Sequence, residues 1–412
     1  MADTYVVHYS EVALKGKNRP EFLRVLKRNV ARSFVPTHPE LELRDGRLLV
    51  TIDADPAEVV QKLSRVFGVA WFARVEIVDA DYGKIEGAAL VAARASKAHT
   101  FMIDARRADK SFPIGSMELA KRLGSAVVAE TGMRVELSDP GLRVHVDIIR
   151  RRALIYIAKS QGPGGLPVGT AGRVMHLFSG GIDSPVAAWL LLKRGVRPVY
   201  VHFYLNPTPD GPMRSKVTKL IKVLSAWGGK STLVLIPFVE YQLATAEVPG
   251  DLEPSLFRRF MRMTAEELAP RFGASAISTG DSLSQAASQT LWNLGVFDSG
   301  SFLPVLRPLL TYDKEEVVDL ARRIGTYNLS LEEYKDCCAI VTRHPRTRAK
   351  VAKIDEYAQG LDFKRLISRS LESGNLASYN PSNEEMKMAP LQEVIDRAPV
   401  ARASAGAQNL TS

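Results

Sequence analysis

Residues 173–195, RVMHLFSGGIDSPVAAWLLLKRG, contain the pattern that decides the fold of this 412-residue chain. The apolar run over residues 174–178 predicts a buried strand, and the glycine-rich SGGIDS follows it directly. Ser184 is suited to be the N-cap of a helix, and Pro185 is suited to be its first residue. The stretch therefore predicts a strand, a loop and a helix in immediate succession.

A glycine-rich loop between a strand and a helix start is suited to bind an anion. Its N–H groups converge, the helix dipole adds partial positive charge, and glycine permits close approach and positive φ. No Lys follows the glycines, so this is not the G-x-x-x-x-G-K-[ST] phosphate loop. SGGIDS resembles the pyrophosphate loop of ATP-dependent adenylating enzymes, which implies that Asp183 acts at the magnesium–phosphate end. The alternative is an ordinary turn with two permissive glycines.

The composition favours a multidomain protein with an anionic partner. A chain of 412 residues predicts two to three domains, and 55 Lys and Arg against 45 Asp and Glu give a net charge of +10. The N-terminus lacks a signal-peptide pattern, and no apolar run is long enough to span a bilayer. The chain has two cysteines, which excludes a disulfide scaffold and leads us to expect a cytoplasmic protein.

The first part of the chain is basic and has the pattern of small α+β modules. Strands are predicted at residues 5–9, 47–52 and 71–78, with helices at residues 20–30 and 55–67 between them. The region of the first helix carries cations that either form a solvated face or contact phosphate; they are Lys15, Lys17, Arg19, Arg24, Lys27 and Arg28.

A second basic piece follows. It contains a helix at residues 83–94, a strand at 100–103, and the cluster Arg106, Arg107 and Lys110 just after that strand. Residues 150–152 are three consecutive arginines, which either end a strand in solvent or form one basic patch with that cluster.

Four strings carry a family resemblance: YSEVALKGKNRPEF (9–22), ARRADKSFPIGSMELAKRLG (105–124), GGLPVGTAGRV (164–174) and SGGIDSPVA (179–187). They resemble the tRNA 4-thiouridine synthetase family, in a short form without a rhodanese domain. The resemblance implies an α/β pyrophosphate-loop ATPase domain with a parallel sheet, preceded by α+β ferredoxin-like and THUMP RNA-binding domains. The expected boundaries are 1–78 (ferredoxin-like), 79–160 (THUMP), 161–172 (linker), 173–381 (pyrophosphate-loop domain) and 382–412 (flexible tail).

The third domain should form a parallel sheet with its site at the carboxyl ends of the strands. Residues 196–203 predict a second strand after the helix, which completes a βαβ unit. The resemblance implies ATP as a ligand, with Mg²⁺, and no protein side chain is assigned as a metal ligand. It also implies one ATP-contacting arginine, either Arg258 or Arg259. The expected ATP-binding residues are Leu177, Phe178, Ser179, Gly180, Gly181, Asp183, Ser184, His202, Phe203, Arg258, Arg259, Gly280 and Gln289.

The only two cysteines of the chain are adjacent, Cys337 and Cys338. They lack the C-x-x-C spacing of zinc and thioredoxin sites, and free cysteines are most often small buried hydrophobes. A basic run follows, which favours the thiolate and either is solvated or binds substrate phosphates; we favour phosphate binding. The resemblance implies that Cys338 carries the sulfur in catalysis. Cys337 either resolves a persulfide or is merely its neighbour.

The function implied is ATP-dependent sulfur transfer to tRNA. Adenylation of the uridine C4 oxygen makes AMP the leaving group, and a persulfide on Cys338 delivers sulfur to give 4-thiouridine. A cysteine desulfurase or another persulfide donor would be a partner, a homodimer and a role in thiamine thiazole synthesis stay open, and no membrane association is expected. Two alternatives are another adenylating ligase or amidotransferase of the pyrophosphate-loop class, and a non-catalytic tRNA-binding protein.

Overall fold

The computed structural model describes residues 2–9, 11–44, 46–205, 209–334 and 346–397, which belong to two compact units. The first unit is Met1–Gly165 and the second is Leu166–Ser412. The division falls inside the segment that the sequence predicts as a linker. Within the ranges described, none of the helices combines the length and apolar character that a bilayer span requires.

The described strands of the first unit form a nine-stranded sheet in the order β2-β3-β1-β4-β8-β7-β5-β6, with β9 also paired to β4. Its strands are β1 (Asp3–His8), β2 (Glu40–Arg44), β3 (Arg47–Ile52), β4 (Trp71–Asp79), β5 (Thr100–Arg107), β6 (Arg134–Val135), β7 (Leu142–Ile149), β8 (Arg152–Tyr156) and β9 (Ser160–Gln161).

Strand β4 joins the two halves of this sheet. Its residues 71–75 pair with β1, and residues 76–79 pair with β8. The predicted boundary at residue 78 therefore lies inside a continuous strand. Two helices pack on each half: α1 (Arg19–Ser33) and α2 (Pro56–Leu63), then α3 (Tyr82–Arg94) and α4 (Ser116–Thr131), with short 3₁₀ helices at Glu11–Leu14 and Gly16–Asn18.

Each half of the first unit has its own hydrophobic core. Leu26 and Val30 of α1 are buried with Val50 and Phe72 of the sheet. Leu119 and Leu123 of α4 belong to a separate core with strands β5 and β7. Two cores beneath one sheet fit the predicted pair of α+β modules.

The second unit contains a seven-stranded sheet in the order β14-β13-β10-β11-β12-β15-β16. Strands β14, β13, β10, β11 and β12 are parallel, whereas β15 and β16 are antiparallel. The predicted parallel sheet is confirmed. These strands are β10 (Arg173–Leu177), β11 (Arg197–Tyr204), β12 (Ser231–Pro237), β13 (Ile277–Ser278), β14 (Val305–Leu306), β15 (Asn375–Asn380) and β16 (Glu385–Pro390).

Eleven described helices surround this sheet, and the longest is α9 (Glu253–Phe272). Helix α9 supplies Leu256, Phe260 and Ala265 to the main core, which also contains Val201 and Val234 of the sheet. The helices are α5 (Asp183–Lys193), α6 (Asp210–Arg214), α7 (Lys216–Gly228), α8 (Val239–Ala244), α9 (Glu253–Phe272), α10 (Leu291–Asp298), α11 (Lys314–Ile324), α12 (Tyr327–Ser330), α13 (Val351–Gly360), α14 (Phe363–Glu372) and α15 (Leu391–Arg397), with a 3₁₀ helix at Ala287–Gln289.

The prediction of a flexible tail from residue 382 is wrong for part of that segment. Strand β16 pairs antiparallel with β15 over its full length, and Leu391 at the start of α15 is buried in the main core. The polar sequence concealed this hairpin because it is an edge of the sheet, where most side chains of β16 face solvent.

Candidate active site

The glycine-rich loop leaves the carboxyl end of β10 and enters α5, as the sequence predicts. Leu177 ends the strand, and the N–H of Phe178 donates to the carbonyl of Val201 in β11 at 2.9 Å. Ser179, Gly180 and Gly181 then cross to the helix. Because β10 is flanked by parallel strands on both sides, the loop lies at the sheet edge where ligands of such folds bind.

The predicted helix start at Ser184 and Pro185 is wrong by two residues. Helix α5 begins at Asp183, and its N-cap is Ile182, whose side chain caps none of the first-turn N–H groups. The Ser184 hydroxyl instead donates to the carbonyl of Ser179 at 2.7 Å and thereby closes the loop on itself. The absence of a side-chain cap leaves the helix N-terminus suited to an external anion.

Gly180 and Gly280 allow other parts of the chain to approach closely. Neither glycine of the loop, Gly180 or Gly181, has a positive φ. A Cβ on Gly180 would lie 2.7 Å from Cε of Lys216, the first residue of α7. A Cβ on Gly280 would lie 2.9 Å from the backbone nitrogen of Ser184 and 3.0 Å from the carbonyl carbon of Asp183. Gly280 is therefore required by its contact with the first turn of α5.

The Asp183 carboxylate is held by two side chains from later in the sequence. Lys314 Nζ lies 2.8 Å from Oδ1, and Gln285 Nε2 donates to Oδ2 at 2.9 Å. Lys216 Nζ donates to the carbonyl of Ser330 at 2.8 Å beside the same loop. Lys314, Gln285 and Lys216 are absent from the sequence-based assignment. Only Gln285 had a local signal, since it stands in the TGDSLSQAASQ string that contains Gly280 and Gln289.

A buried acidic residue, Asp281, follows Gly280. Arg258 binds it through two hydrogen bonds of 2.9 and 2.7 Å, and Arg307 and the Thr279 hydroxyl contact the same carboxylate. Burial opposes ionisation of Asp281, but these partners outweigh it and lower the pKa to about 2.

The structure separates the two candidate arginines of α9. Arg258 contacts Asp281 beside the loop, whereas Arg259 donates to the carbonyl of Val296 at 3.0 Å and pairs with Asp355 at 3.3 Å. Arg258 is thus the one directed to the Gly280–Asp281 segment.

Gln289 and His202 both contact the candidate site, Gln289 at Asp281 and His202 at Phe178 before the loop. Gln289 Nε2 lies 3.4 Å from Oδ1 of Asp281, and its buried Oε1 has no hydrogen-bond partner among the described residues. His202 is buried, and its two ring nitrogens bond the carbonyl of Phe178 at 2.9 Å and the hydroxyl of Tyr334 at 3.0 Å. The ring of Phe203 instead packs edge-on against two aromatic rings of α9.

A buried histidine links the loop and the start of α5 to the neighbouring strand β13. His176 on β10 bonds the Ser278 hydroxyl of β13 at 2.7 Å and the carbonyl of Ser184 at 2.9 Å. Because a carbonyl only accepts, Nε2 donates to it, and in the neutral imidazole Nδ1 then accepts from the Ser278 hydroxyl. Burial lowers the pKa of His176 to about 4.

Cys337 and Cys338 lie outside the described residues, so their predicted role stays a prediction. The described chain on either side is anchored in this unit. Tyr334 bonds His202, and Arg346 bonds Asp251 through both its N–H, at 3.0 Å, and its guanidinium, at 2.7 Å. Within the described ranges, no group of three or more His, Cys, Asp and Glu residues is arranged to bind a metal ion.

The first unit presents two basic surfaces. Around α1, Lys15 lies over the ring of Phe22 and Arg19 over that of Tyr9, beside a groove that also includes Arg24 and Lys27. Near the three arginines, the N–H of Arg151 donates to the Asp109 carboxylate at 3.3 Å. The structure therefore brings the two clusters of the second basic piece together, although β5 extends to Arg107, so Arg106 and Arg107 lie on the strand.

Three family descriptions match the chain. Residues 4–73 match "ThiI ferredoxin-like domain", residues 86–158 match "THUMP domain", and residues 169–363 match "Thiamine biosynthesis protein (ThiI)". A crystal structure of a 4-thiouridine synthetase–RNA complex with bound ATP is 32% identical, with a TM-score of 0.84 over 92% of this chain and 100% of that one. PH1313 from Pyrococcus horikoshii is 25% identical, with a TM-score of 0.62 over 78% of this chain and 99% of that one.

Curated relatives are similar over nearly their whole length. A probable tRNA sulfurtransferase of Caldanaerobacter subterraneus is 39% identical over 89% of this chain and 97% of its own. Another, from Moorella thermoacetica, is 37% identical over 92% of this chain and 99% of its own. With its ferredoxin-like, THUMP and ThiI segments in this order, the chain belongs to the tRNA sulfurtransferase family.

Proposed function

We propose that this protein transfers sulfur to tRNA at the expense of ATP, by adenylating the C4 oxygen of a uridine and replacing it with sulfur to give 4-thiouridine. The observation that carries the proposal is the loop at the end of β10, whose Asp183 is oriented by Lys314 and Gln285. The relatives named tRNA sulfurtransferase, and the similar 4-thiouridine synthetase with RNA and ATP, support the same reaction.

ATP fits the residues around this loop. Gly180 and Gly280 let Lys216 and the first turn of α5 pack closely around the loop. That first turn lacks a side-chain cap, which suits the pyrophosphate. The buried Oε1 of Gln289 needs a donor, which a ribose hydroxyl or the adenine amino group would supply. Asp183 would help to hold Mg²⁺, which would offset the charge of the phosphates.

Arg258, rather than Arg259, is the arginine that we assign to this site, because it contacts Asp281 beside Gly280. His202 would position the loop through the carbonyl of Phe178. Any contact from Phe203 would use its main chain, since its ring is buried in the core.

Cys338 would supply the sulfur. The terminal sulfur of its persulfide attacks C4, the C4–O bond breaks and AMP leaves. A thiol then cleaves the S–S bond of the adduct, which frees thiouridine and forms a disulfide with Cys338. That thiol is Cys337 or comes from outside the chain. Tyr334 stands four positions before Cys338, and four residues span at most about 14 Å, which supports access to the His202 end of β11.

The basic surfaces of the first unit would bind the tRNA through phosphates and shape rather than base sequence. A cysteine desulfurase or another persulfide donor would load Cys338. A homodimer and a cytoplasmic location belong to the same proposal, and both stay predictions.

Pyrophosphate release from ATP, measured with and without tRNA, tests the reaction. Release that requires tRNA, together with 4-thiouridine in digested tRNA, is expected. Release driven by a small amide donor would instead favour another adenylating ligase, and no release in either case would favour a non-catalytic tRNA-binding protein.

Variants of Asp183 and Cys338 should separate the adenylation step from the sulfur-transfer step. Asp183→Ala should abolish pyrophosphate release, whereas Cys338→Ser should bind ATP and tRNA, release pyrophosphate and form no thiouridine. Cys337→Ser is the matched variant, and its activity with an added thiol reductant reports whether Cys337 resolves the persulfide. Thiouridine formation by Cys338→Ser would refute the assignment.

A further inference from the structure

Helix α10 begins with two large apolar side chains that the fold leaves in solvent. Leu291 is 73% exposed and Trp292 is 63% exposed. Single exposed apolar residues are common on protein surfaces. The position of Trp292 relative to the candidate active site, and its charged surroundings, set it apart.

The chain just before Trp292 contacts the active-site loop region. Gln285 donates to the carboxylate of Asp183 at 2.9 Å, and Gln289 lies 3.4 Å from the carboxylate of Asp281. Trp292 follows Gln289 by three positions. It is therefore placed at the border of the site, on the first turn of a helix.

Helix α10 is also tied to the described chain that follows the cysteine-bearing segment. The Thr290 hydroxyl donates to the carbonyl of Thr347 at 2.7 Å. Asn293 donates to the carbonyl of Arg346 at 2.8 Å and accepts from the N–H of Ala349 at 3.0 Å. Since residues on both sides of Trp292 make these bonds, the indole projects from a fixed base.

A cation lies beside the exposed indole, on a short basic segment. The guanidinium of Arg348 lies 5.8 Å from the ring centroid of Trp292, and Arg346 and Lys350 are exposed on the same short segment. Arg346 is bound to Asp251, which leaves Arg348 as the cation next to the ring, with Lys350 exposed two positions further along the chain. An exposed aromatic ring with cations beside it is typical of surfaces on which nucleic-acid bases stack while phosphates are neutralised.

We propose that Trp292 is a positioning residue on which an unstacked base of the substrate RNA stacks at the border of the active site. The inference rests on the proposed function. The C4 oxygen of uridine is on the base-pairing edge, so the base must leave the RNA stack before it can react. A base that leaves the stack loses its aromatic neighbours, and the indole of Trp292 replaces one of them.

Trp292→Ala, Trp292→Phe and the control Phe302→Ala test the proposal. Phe302 is another exposed aromatic, 71% accessible, but it precedes β14 and so lies toward the amino ends of the parallel strands. Trp292→Ala should raise the KM for tRNA about tenfold, the effect of removing one base-stacking contact. Trp292→Phe should stay within about threefold of the wild type, because a ring is retained, and Phe302→Ala should match the wild type.

The dissociation constant for ATP alone and the oligomeric state should be the same in all four proteins. A changed ATP affinity in Trp292→Ala would overturn the inference in favour of adenine stacking. A changed oligomeric state would overturn it in favour of an interface between copies. It would also fail if Trp292→Ala behaved like the wild type, or if Trp292→Phe behaved like Trp292→Ala.

Fluorescence gives a readout that is independent of turnover. Trp292 is the one exposed tryptophan of the four, since Trp71 and Trp227 are partly buried and Trp189 is buried. A tRNA transcript added without ATP should quench emission of the wild type, and Trp292→Phe should lose most of that quenching. Equal quenching in both would overturn the inference. Absence of thiouridine formation by the wild type would contradict the proposed function instead, so the two failures are distinguishable.

Discussion

Nζ of Lys314 lies 2.8 Å from Oδ1 of Asp183, although the two residues are 131 positions apart. The Asp183 side chain is 22% exposed and that of Lys314 is 48% exposed. A solvated ion pair of this kind contributes little to the free energy of unfolding. The importance of the pair is instead its position, because it holds a cation beside the loop where phosphate charge would be bound.

Lys314→Met should lower tRNA-dependent pyrophosphate release at least about tenfold, because a cation that stabilises developing phosphate charge is lost. The free energy of unfolding should change by less than about 0.5 kcal/mol. Lys353→Met is the control, since Lys353 pairs with Glu356 on an exposed helix face. Equal loss of activity in both variants would contradict a specific role for Lys314.

Gly280→Ala should impair ATP binding about tenfold or more while the protein stays folded. The added Cβ would lie about 3 Å from backbone atoms of Asp183 and Ser184, which cannot move without displacing the loop. Gly295→Ala is the matched control, because a Cβ there meets nothing within 4 Å. Calorimetric titration with ATP measures the effect, and wild-type affinity in Gly280→Ala would show that the loop tolerates the shift.

The local pattern was sufficient to predict the centre of the fold. The strands predicted over residues 174–178 and 196–203 depend on neighbouring residues and on the period of hydrophobicity. Parallel pairing then follows from the helix between the two strands, and it brings the SGGIDS loop and His202 to one sheet edge.

Contacts between residues that are far apart in the chain could not be predicted from the sequence. Lys314 appeared only as part of a helix start, because nothing local indicates that its side chain reaches Asp183. The helix start at Ser184 was wrong because the Ser184 hydroxyl bonds the carbonyl of Ser179 instead of capping the helix. Strand β16 was missed because edge strands need no apolar alternation.

Asp281 should make the free energy of unfolding depend on pH in the acid range. Its folded-state pKa of about 2 is below the usual value of about 3.9, so its contribution is complete above pH 4 and is lost as the pH falls toward 2. The loss is about 2 kcal/mol by the linkage relation. Denaturant unfolding from pH 5 to pH 2 should show this component in the wild type and not in Asp281→Asn.

At neutral pH, Asp281→Asn should destabilise the protein by about 3–5 kcal/mol, because Arg258 and Arg307 lose a buried counter-charge. Asp319→Asn is the control, since the Asp319 side chain is 76% exposed. A difference between the two variants that stays constant down to pH 2 would contradict the lowered pKa of Asp281.

His176 should add a second pH dependence, centred nearer neutrality. Its folded-state pKa of about 4 is below the ordinary value of 6.5, so the unfolded chain binds the proton more tightly. Stability is therefore complete above about pH 6.5 and falls by about 3 kcal/mol as the pH approaches 4. His176→Phe should remove this dependence and also raise the KM for ATP, because Ser184 at the start of α5 loses its hydrogen bond. His99→Phe, at an exposed position, should keep the wild-type profile. An unchanged slope in His176→Phe would mean that the imidazole is protonated in the folded protein and does not donate through Nε2 alone.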